Sequence, residues 1–377
     1  MRFKCVVLHN SSRVVGGGEI LANYLGKALN CKVCTIGPSR LGFEDISYLI
    51  PRSLRALNKL IGLRSIEYIL WSSLDIEKLG DFDVVITSGP TPRAIITPEY
   101  TMHVNYCHSP LRWLYDLWNY RRRRYRLLKP LVNILGEFLR VWDGAIDSRV
   151  DYYFVNSEVI QRRLWKYLKR DSVVLYPPIE WSKYKCRDSD DYLLIISRLE
   201  PEKRVEDAIR ACIKAGVRVV VAGSGSLYKQ LSKKYGNNKY VELKGFVDEK
   251  EKIDLLAHCK AVLYPPIAED FGIVPVEALA SGKPVIVDNS GFPPILLRRT
   301  GVIERSGILE VCKGGIITKV NNLNLFAKTI QLIDKYEWDS DYLREFAKQF
   351  DFEVFKVKLQ TQLTIWLKDV WRHDHVR

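Results

Sequence analysis

The chain is 377 residues long, enough for two domains of ordinary size. A content of 47% hydrophobic and 27% charged residues excludes a disordered, collagenous or fibrous chain. Lys and Arg number 58 against 44 for Asp and Glu, and the net charge of +14 favours anionic partners: nucleic acid, an acidic membrane surface or phosphorylated small molecules.

The amino terminus, MRFKCVVLHN, lacks the long apolar stretch and cleavage site of a signal peptide, so the expected location is cytoplasmic. The longest apolar segment, Leu127 to Ile146, is broken by Lys129, Glu137, Arg140 and Asp143, and no membrane span is expected. Eight scattered cysteines do not make a disulfide framework, and the lone CxxC of Cys31 and Cys34 reads as two residues of a short strand.

In chain order, Phe3 to Leu8 reads as a buried strand, Gly16 to Gly18 as a glycine-rich loop, and Glu19 to Leu29 as a helix. Short apolar runs follow at Val33 to Ile36, Val84 to Thr87, His103 to Tyr106 and Tyr152 to Val155, separated by segments of helical pattern. Past the proline-rich Tyr176 to Glu180, strands are expected at Leu193 to Ser197, Val217 to Ala222, Val241 to Leu243, Ala261 to Tyr264 and Val285 to Val287. Beyond Phe350 the pattern is an amphipathic helix with Phe355, Leu359, Leu363, Trp366 and Trp371 roughly in register. Strands alternating with helices imply parallel sheets covered on both faces, in an α/β chain of two doubly wound domains. The expected domains are 1–178 and 179–355, with 356–377 a terminal helix returning to the first.

Ligands of such sheets bind outside the carboxyl ends of the strands, which singles out four loops. Ser197-Arg-Leu-Glu-Pro-Glu-Lys203 places Arg198 and Lys203 at a helix entrance, where a guanidinium, an ammonium and the helix dipole can converge on a diphosphate. Ala222-Gly-Ser-Gly-Ser226 brings Gly223 and Ser224 after a strand, to approach a ligand or simply to turn. Glu269-Asp-Phe-Gly-Ile-Val-Pro-Val-Glu277 sets Glu269 in a loop and Glu277 in the opening turn of a helix, two carboxylates able to accept sugar hydroxyls. Tyr106-Cys-His-Ser-Pro-Leu-Arg-Trp-Leu-Tyr-Asp116 puts His108 at a strand's carboxyl end rather than on an apolar face.

Taken together, GGGE, YCHSPLRWLYD, VNSE, YPPIE, SRLEPEK, AGSGS and the E-x7-E segment EDFGIVPVE resemble the ordered motif series of family 4 retaining glycosyltransferases of the GT-B fold. The series covers nearly the whole chain. Its HSP-x-R-x-x-x-D variant is further similar to mannosyltransferases of lipid-linked or surface glycans. The resemblance implies two Rossmann-like domains facing a cleft and retaining transfer of a hexose, with mannose favoured, to a lipid-linked or glycan acceptor. It also implies that Arg198 and Lys203 hold the donor diphosphate, Glu277 the ribose and Glu269 the sugar hydroxyls. His108 would lie by the transferred sugar, and Gly16, Gly17 and Gly18 by the phosphates and acceptor. Phe271, Gly272, Ile273 and Val274, within the E-x7-E segment, join the donor site. Two departures stand out: Ser290-Gly-Phe-Pro-Pro-Ile295 lacks the family's glutamate, and Pro266 and Ile267 replace the Ser that often precedes E-x7-E.

No metal or cofactor is expected beyond the nucleotide-sugar co-substrate, GDP-mannose favoured and a UDP-hexose next. Asp81-Phe-Asp83 has metal-like spacing but falls where a strand begins. Arg121, Arg122, Arg123, Arg124, Arg126 and Lys129 concentrate six cations in nine residues beside Trp113, Trp118 and Tyr120, which suggests peripheral contact with an anionic membrane, on the inner face of the cell membrane. The alternatives are a soluble UDP-glucose-type transferase acting on a sugar or sugar phosphate, a UDP-sugar epimerase, and a nucleic-acid-binding protein. The last lacks a binding motif and leaves the loops of the second domain unexplained, so nucleic acid is not an expected partner.

Overall fold

The computed structural model describes residues 3–10, 16–55, 64–119 and 129–374. Two compact units divide the chain, Met1–Pro177 with Glu353–Arg377, and Pro178–Phe352. The boundaries therefore fall at 177/178 and 352/353 instead of 178/179 and 355/356. Hydrogen bonds explain the shift: Phe352 N–H donates to the Ile179 carbonyl at 2.9 Å and Trp181 N–H to Asp351 at 3.0 Å, stitching the second unit's two ends together.

The first unit is a seven-stranded sheet, with β1 (Cys5–His9), β2 (Val33–Thr35), β3 (Glu44–Asp45), β4 (Val84–Ser88), β5 (Met102–Cys107), β6 (Tyr152–Val155) and β7 (Val173–Val174). Its order is β3-β2-β1-β4-β5-β6-β7 and every pair is parallel. Helices α1 (Gly17–Leu29), α2 (Arg64–Ser72), α3 (Lys129–Asp147) and α4 (Glu158–Leu168) connect the strands. All of β4 and β5 is buried, as strands of a covered parallel sheet should be, and the polar His103 and Asn105 of β5 are hydrogen-bonded there. Val6, Leu8 and Val85 share one core with Trp71 and Ile95. Arg121 to Arg124 and Arg126 lie outside the described residues, while Lys129 is the first residue of α3.

The second unit has eight strands: β8 (Leu193–Ile196), β9 (Val219–Ala222), β10 (Val241–Gly245), β11 (Ala261–Tyr264), β12 (Val285–Asp288), β13 (Val302–Ser306), β14 (Leu309–Cys312) and β15 (Gly315–Thr318). The order is β10-β9-β8-β11-β12-β15-β14-β13. Its helices are α5 (Val205–Ala215), α6 (Tyr228–Tyr235), α7 (Glu249–His258), α8 (Ile273–Ala280), α9 (Pro293–Arg299), α10 (Leu323–Leu332) and α11 (Ser340–Ala347). Leu193, Ile195, Val219 and Val221 pack with Ala208 and Ile209 of α5 and with Phe326 and Ile330 of α10. The all-parallel expectation fails at one edge, where β13, β14 and β15 run antiparallel. β13 is exposed along its whole length and carries Glu304 and Arg305, so it gives no apolar strand signal and makes a charged, soluble edge.

The chain ends in α12 (Phe352–Asp374), which belongs to the first unit from Glu353 onward. Its Trp366 stacks on Tyr152 at 4.6 Å, and Gln360 donates to the Ala28 carbonyl at 2.8 Å. Both sheets share a topological consequence: strand order reverses between β1 and β4 in one, and between β8 and β11 in the other. At such switch points neighbouring loops diverge and leave a crevice at the strand ends.

Candidate functional site

In the first unit the switch point gathers two histidines. Register pairs His9 with Ser88 and Ser88 with Tyr106, so His9, Ser88 and His108 meet at the carboxyl ends of β1, β4 and β5. Ser88 Oγ lies 3.0 Å from His9 Nδ1 and 2.9 Å from His108 Nε2. His9 Nε2 faces Glu19 at 3.7 Å, and Glu19 accepts the Gly16 N–H at 2.9 Å. That backbone cap lets α1 begin at Gly17, which corrects the expected loop: Gly17 and Gly18 are helical and only Gly16 precedes the helix. A Cβ on Gly18 would stand 3.6 Å from His9 and 3.7 Å from His108, so the amino end of the helix touches both rings.

Burial first, then the neighbouring His9, pushes His108 down to about 3. It is therefore a neutral hydrogen-bonding group at physiological pH. Ser88 has one hydroxyl hydrogen and two ring nitrogens within reach, so one ring must donate to it. The His9 tautomer that directs Nε2–H toward the Glu19 carboxylate has Nδ1 accepting from Ser88, and His108 Nε2–H then donates to Ser88 Oγ. His108 Nδ1 is then the acceptor nitrogen.

A second buried histidine of this unit serves structure. His103 lies 2.8 Å from the Arg149 carbonyl through Nδ1 and 3.0 Å from Thr87 Oγ1 through Nε2, and burial above all holds it at about 4, below its ordinary 6.5. The unfolded chain thus binds a proton below about pH 6.5 that the folded chain refuses. Stability from this group is complete above that pH and lost as the pH falls toward 4, by about 3 kcal/mol. Thermal unfolding across pH 7 to 4 should show the decline, and His103→Gln should flatten it.

In the second unit the loops after β8 and β11 converge on an ion pair. Lys203 closes a short turn, Pro201–Lys203, and its Nζ sits 2.7 Å from Glu269 Oε2, both side chains partly buried. Arg198 is exposed in the same loop. Gly291 fixes the Glu269 backbone: at φ +81° it lies so close that a Cβ would stand 2.4 Å from the Glu269 carbonyl oxygen. The Phe292 N–H donates to that oxygen at 3.0 Å. The Ser290 to Ile295 segment, although it lacks the glutamate, thus shapes the Glu269 loop.

Gly223 and Gly225 play a part the sequence left open. A Cβ on Gly223 would meet the Ser197 carbonyl at 1.8 Å, and one on Gly225 the Leu199 carbonyl at 2.5 Å. Their lack of side chains lets the β9 loop cross the Arg198 loop, sealed by Leu199 N–H to the Ser224 carbonyl at 2.9 Å. Glu200 accepts the Ser226 hydroxyl and N–H across the same junction, and these bonds hold its carboxyl below the usual range.

The α8 segment needs two corrections. The helix starts at Ile273, so Glu277 is in its second turn rather than its first; Gly272, at φ +81°, can precede the helix directly and moves the start upstream of Pro275. Glu277 is buried and accepts from Tyr184 Oη at 2.8 Å and Lys252 Nζ at 2.7 Å. Burial opposes the Lys252 charge, but the Glu277 carboxylate outweighs it and raises Lys252 above its ordinary value. Phe271 stacks on Phe292 at 5.1 Å and is buried, so its side chain serves the core while Gly272, Ile273 and Val274 form the amino end of α8.

Sequence reasoning missed His9, Glu19, Ser88, Tyr184 and Lys252. His9 had a signal: it ends the first strand, seven positions ahead of Gly16. Lys252 had none, because it is one of two lysines, with Lys250, on a charged helix.

Residues 180–349 match the sequence profile of the family described as glycosyl transferases group 1. The alpha-1,3/1,6-mannosyltransferase ALG2 of Candida glabrata is 28% identical over 239 residues, covering 50% of this chain and 51% of that protein. The chain spans about half the length of the curated mannosyltransferases it matches. Among solved structures, HepE of Anabaena, in complex with UDP-glucose, superposes with a TM-score of 0.64 at 16% identity, covering 96% of this chain and 99% of that one. Sucrose-phosphate synthase of Thermosynechococcus elongatus gives a TM-score of 0.66 at 14% identity, covering 97% and 100%. These likenesses show the fold, which is that of the GT-B glycosyltransferases.

Proposed function

We propose that this chain, whose residues 180–349 form a glycosyl transferases group 1 domain, moves a hexose from a nucleotide sugar to a lipid-linked or glycan acceptor, retaining anomeric configuration and using no metal. Mannose from GDP-mannose is the donor we favour, on the HSP-x-R-x-x-x-D motif and the likeness to mannosyltransferases. The observation that carries the reading is the Lys203–Glu269 pair at the switch point between β8 and β11, beside the amino end of α8.

The chemistry follows from the charges. Departure of a nucleoside diphosphate builds negative charge on phosphate oxygens, which Lys203, Arg198 and the N–H groups of Gly272, Ile273 and Val274 stabilise. Glu269 holds Lys203 until donor binds and then accepts sugar hydroxyls, while Glu277, anchored by Tyr184 and Lys252, receives the ribose. Neutral His108 offers Nδ1 to a hydroxyl of the transferred sugar. No protein nucleophile is assigned: the acceptor attacks from the face the leaving phosphate vacates, and that phosphate takes the acceptor's proton.

A donor panel tests this by measuring release of GDP, UDP or ADP from their sugar nucleotides in the presence of a polyprenyl-linked glycan. GDP release from GDP-mannose, reduced at least tenfold in Glu269→Gln, is the expected result. UDP release would replace the donor with a UDP-hexose, and turnover in Glu269→Gln equal to that of the parent would remove Glu269 from the site.

A further inference from the structure

Helix α3 presents an apolar stripe to solvent in addition to its inward face. Leu131, Ile134, Leu135, Phe138 and Val141 recur at helical spacing along one face, and each is between 54% and 74% exposed. The inward side combines Trp142 and Ile146, which pack in the core with Trp71, and a set of hydrogen-bonded polar side chains. Asp143 accepts from Arg93 and from Tyr115 Oη, Asp147 accepts from Tyr153 Oη, and Arg140 donates to the Leu114 carbonyl at 3.1 Å. Gly136 lies against Trp118, so closely that a Cβ there would stand 2.4 Å from the indole. These bonds fix the rotation of the helix, and its outer face cannot roll inward without breaking them. A surface helix ordinarily turns charged and polar residues outward, and a contiguous exposed apolar stripe marks a docking surface.

We propose that the outer face of α3 docks in the plane of an anionic membrane, with Ile134, Leu135, Phe138 and Val141 in the boundary between headgroups and acyl chains. Charge chooses this occupant over another protein. Residues 121–129, RRRRYRLLK, lead straight into the helix with six cations and no acid, and the chain carries a net charge of +14. An apolar face joined to a cationic segment matches the layered chemistry of an anionic bilayer surface, apolar within and negative at the headgroups. No described helix is long and apolar enough to cross a membrane, in keeping with a helix that lies on the surface. The inference is independent of the transfer reaction, and its test reads lipid binding alone.

The experiment is cosedimentation of the full chain with vesicles of phosphatidylcholine, with and without phosphatidylglycerol, at low and high salt. Binding should require phosphatidylglycerol, and Ile134→Glu combined with Phe138→Glu should weaken it by roughly tenfold or more. Both side chains face solvent, so the melting temperature should not move. Phe246→Glu, an equally exposed apolar position in the second unit, should bind like the parent. Three outcomes overturn the proposal: no binding of the parent at low salt, undiminished binding of the double variant, or a lipid-free dimer that the double variant disperses. The last would assign the face to a second copy of this chain.

Discussion

Lys203→Ala is expected to lower nucleotide release from the preferred sugar nucleotide by about 10² to 10³-fold, the cost of removing one preorganised donor to a leaving oxyanion. The Lys203 ammonium is held at 2.7 Å by Glu269, in a turn whose end is fixed by Arg204 at φ +52°. The charge is thus preplaced, and its reorganisation was completed on folding rather than during reaction. Removing it should cost little stability, about 1 kcal/mol, because both partners remain partly open to water. Single-turnover measurements separate this from a binding defect: a loss confined to the chemical step fits an interaction made only in the transition state, whereas a rise in KM with kcat unchanged would make Lys203 a ground-state contact alone. Lys203→Arg keeps the charge but lengthens the side chain, so partial recovery is expected. An undiminished rate in Lys203→Ala would remove the leaving-group role from this loop.

Strand existence in both units was legible because central parallel strands are buried on both faces and read as unbroken Val, Ile and Leu runs. The two-residue strands β3 and β7 were not, being too short to make a run, and neither were β13, which is exposed, β14, whose run is broken by Glu310, and β15, which is buried but has only Ile316 and Ile317 as its apolar signal. The loops holding Lys203, Glu269 and His108 were found for a reason of topology: all follow the carboxyl ends of parallel strands, Lys203 and Glu269 after β8 and β11, which flank a switch point, and His108 after β5, the neighbour of β4. What sequence could not supply was partnership. Whether Glu277 stands alone or is neutralised depends on Lys252, which sits on α7 and meets it only through tertiary packing. Nor could it separate the two roles open to Gly223, contact with a ligand or contact with another loop, because both ask for the same missing side chain.

That last ambiguity gives the second large effect. Gly223→Ala should destabilise the second unit by roughly 3–4 kcal/mol, seen by calorimetry as a fall in melting temperature of roughly 10 °C. Two costs combine. At φ +145° the backbone is one that L side chains rarely adopt, and the new Cβ would fall 1.8 Å from the Ser197 carbonyl oxygen. That oxygen cannot easily retreat, because the junction is fastened on both sides: Ser197 N–H bonds Ala222 at 3.1 Å, Gly223 N–H bonds Gly245 at 2.7 Å, and Leu199 N–H bonds Ser224 at 2.9 Å. Parting the loops would also carry Arg198 away from Lys203, so activity should fall with stability. Gly17→Ala supplies the contrast, since nothing lies within 4 Å of its Cβ position and it sits inside α1. There the substitution should be neutral or stabilising by up to about 1 kcal/mol. If Gly223→Ala melts with the parent, the crossing of the two loops is not the reason for glycine, and close approach of a ligand regains the position.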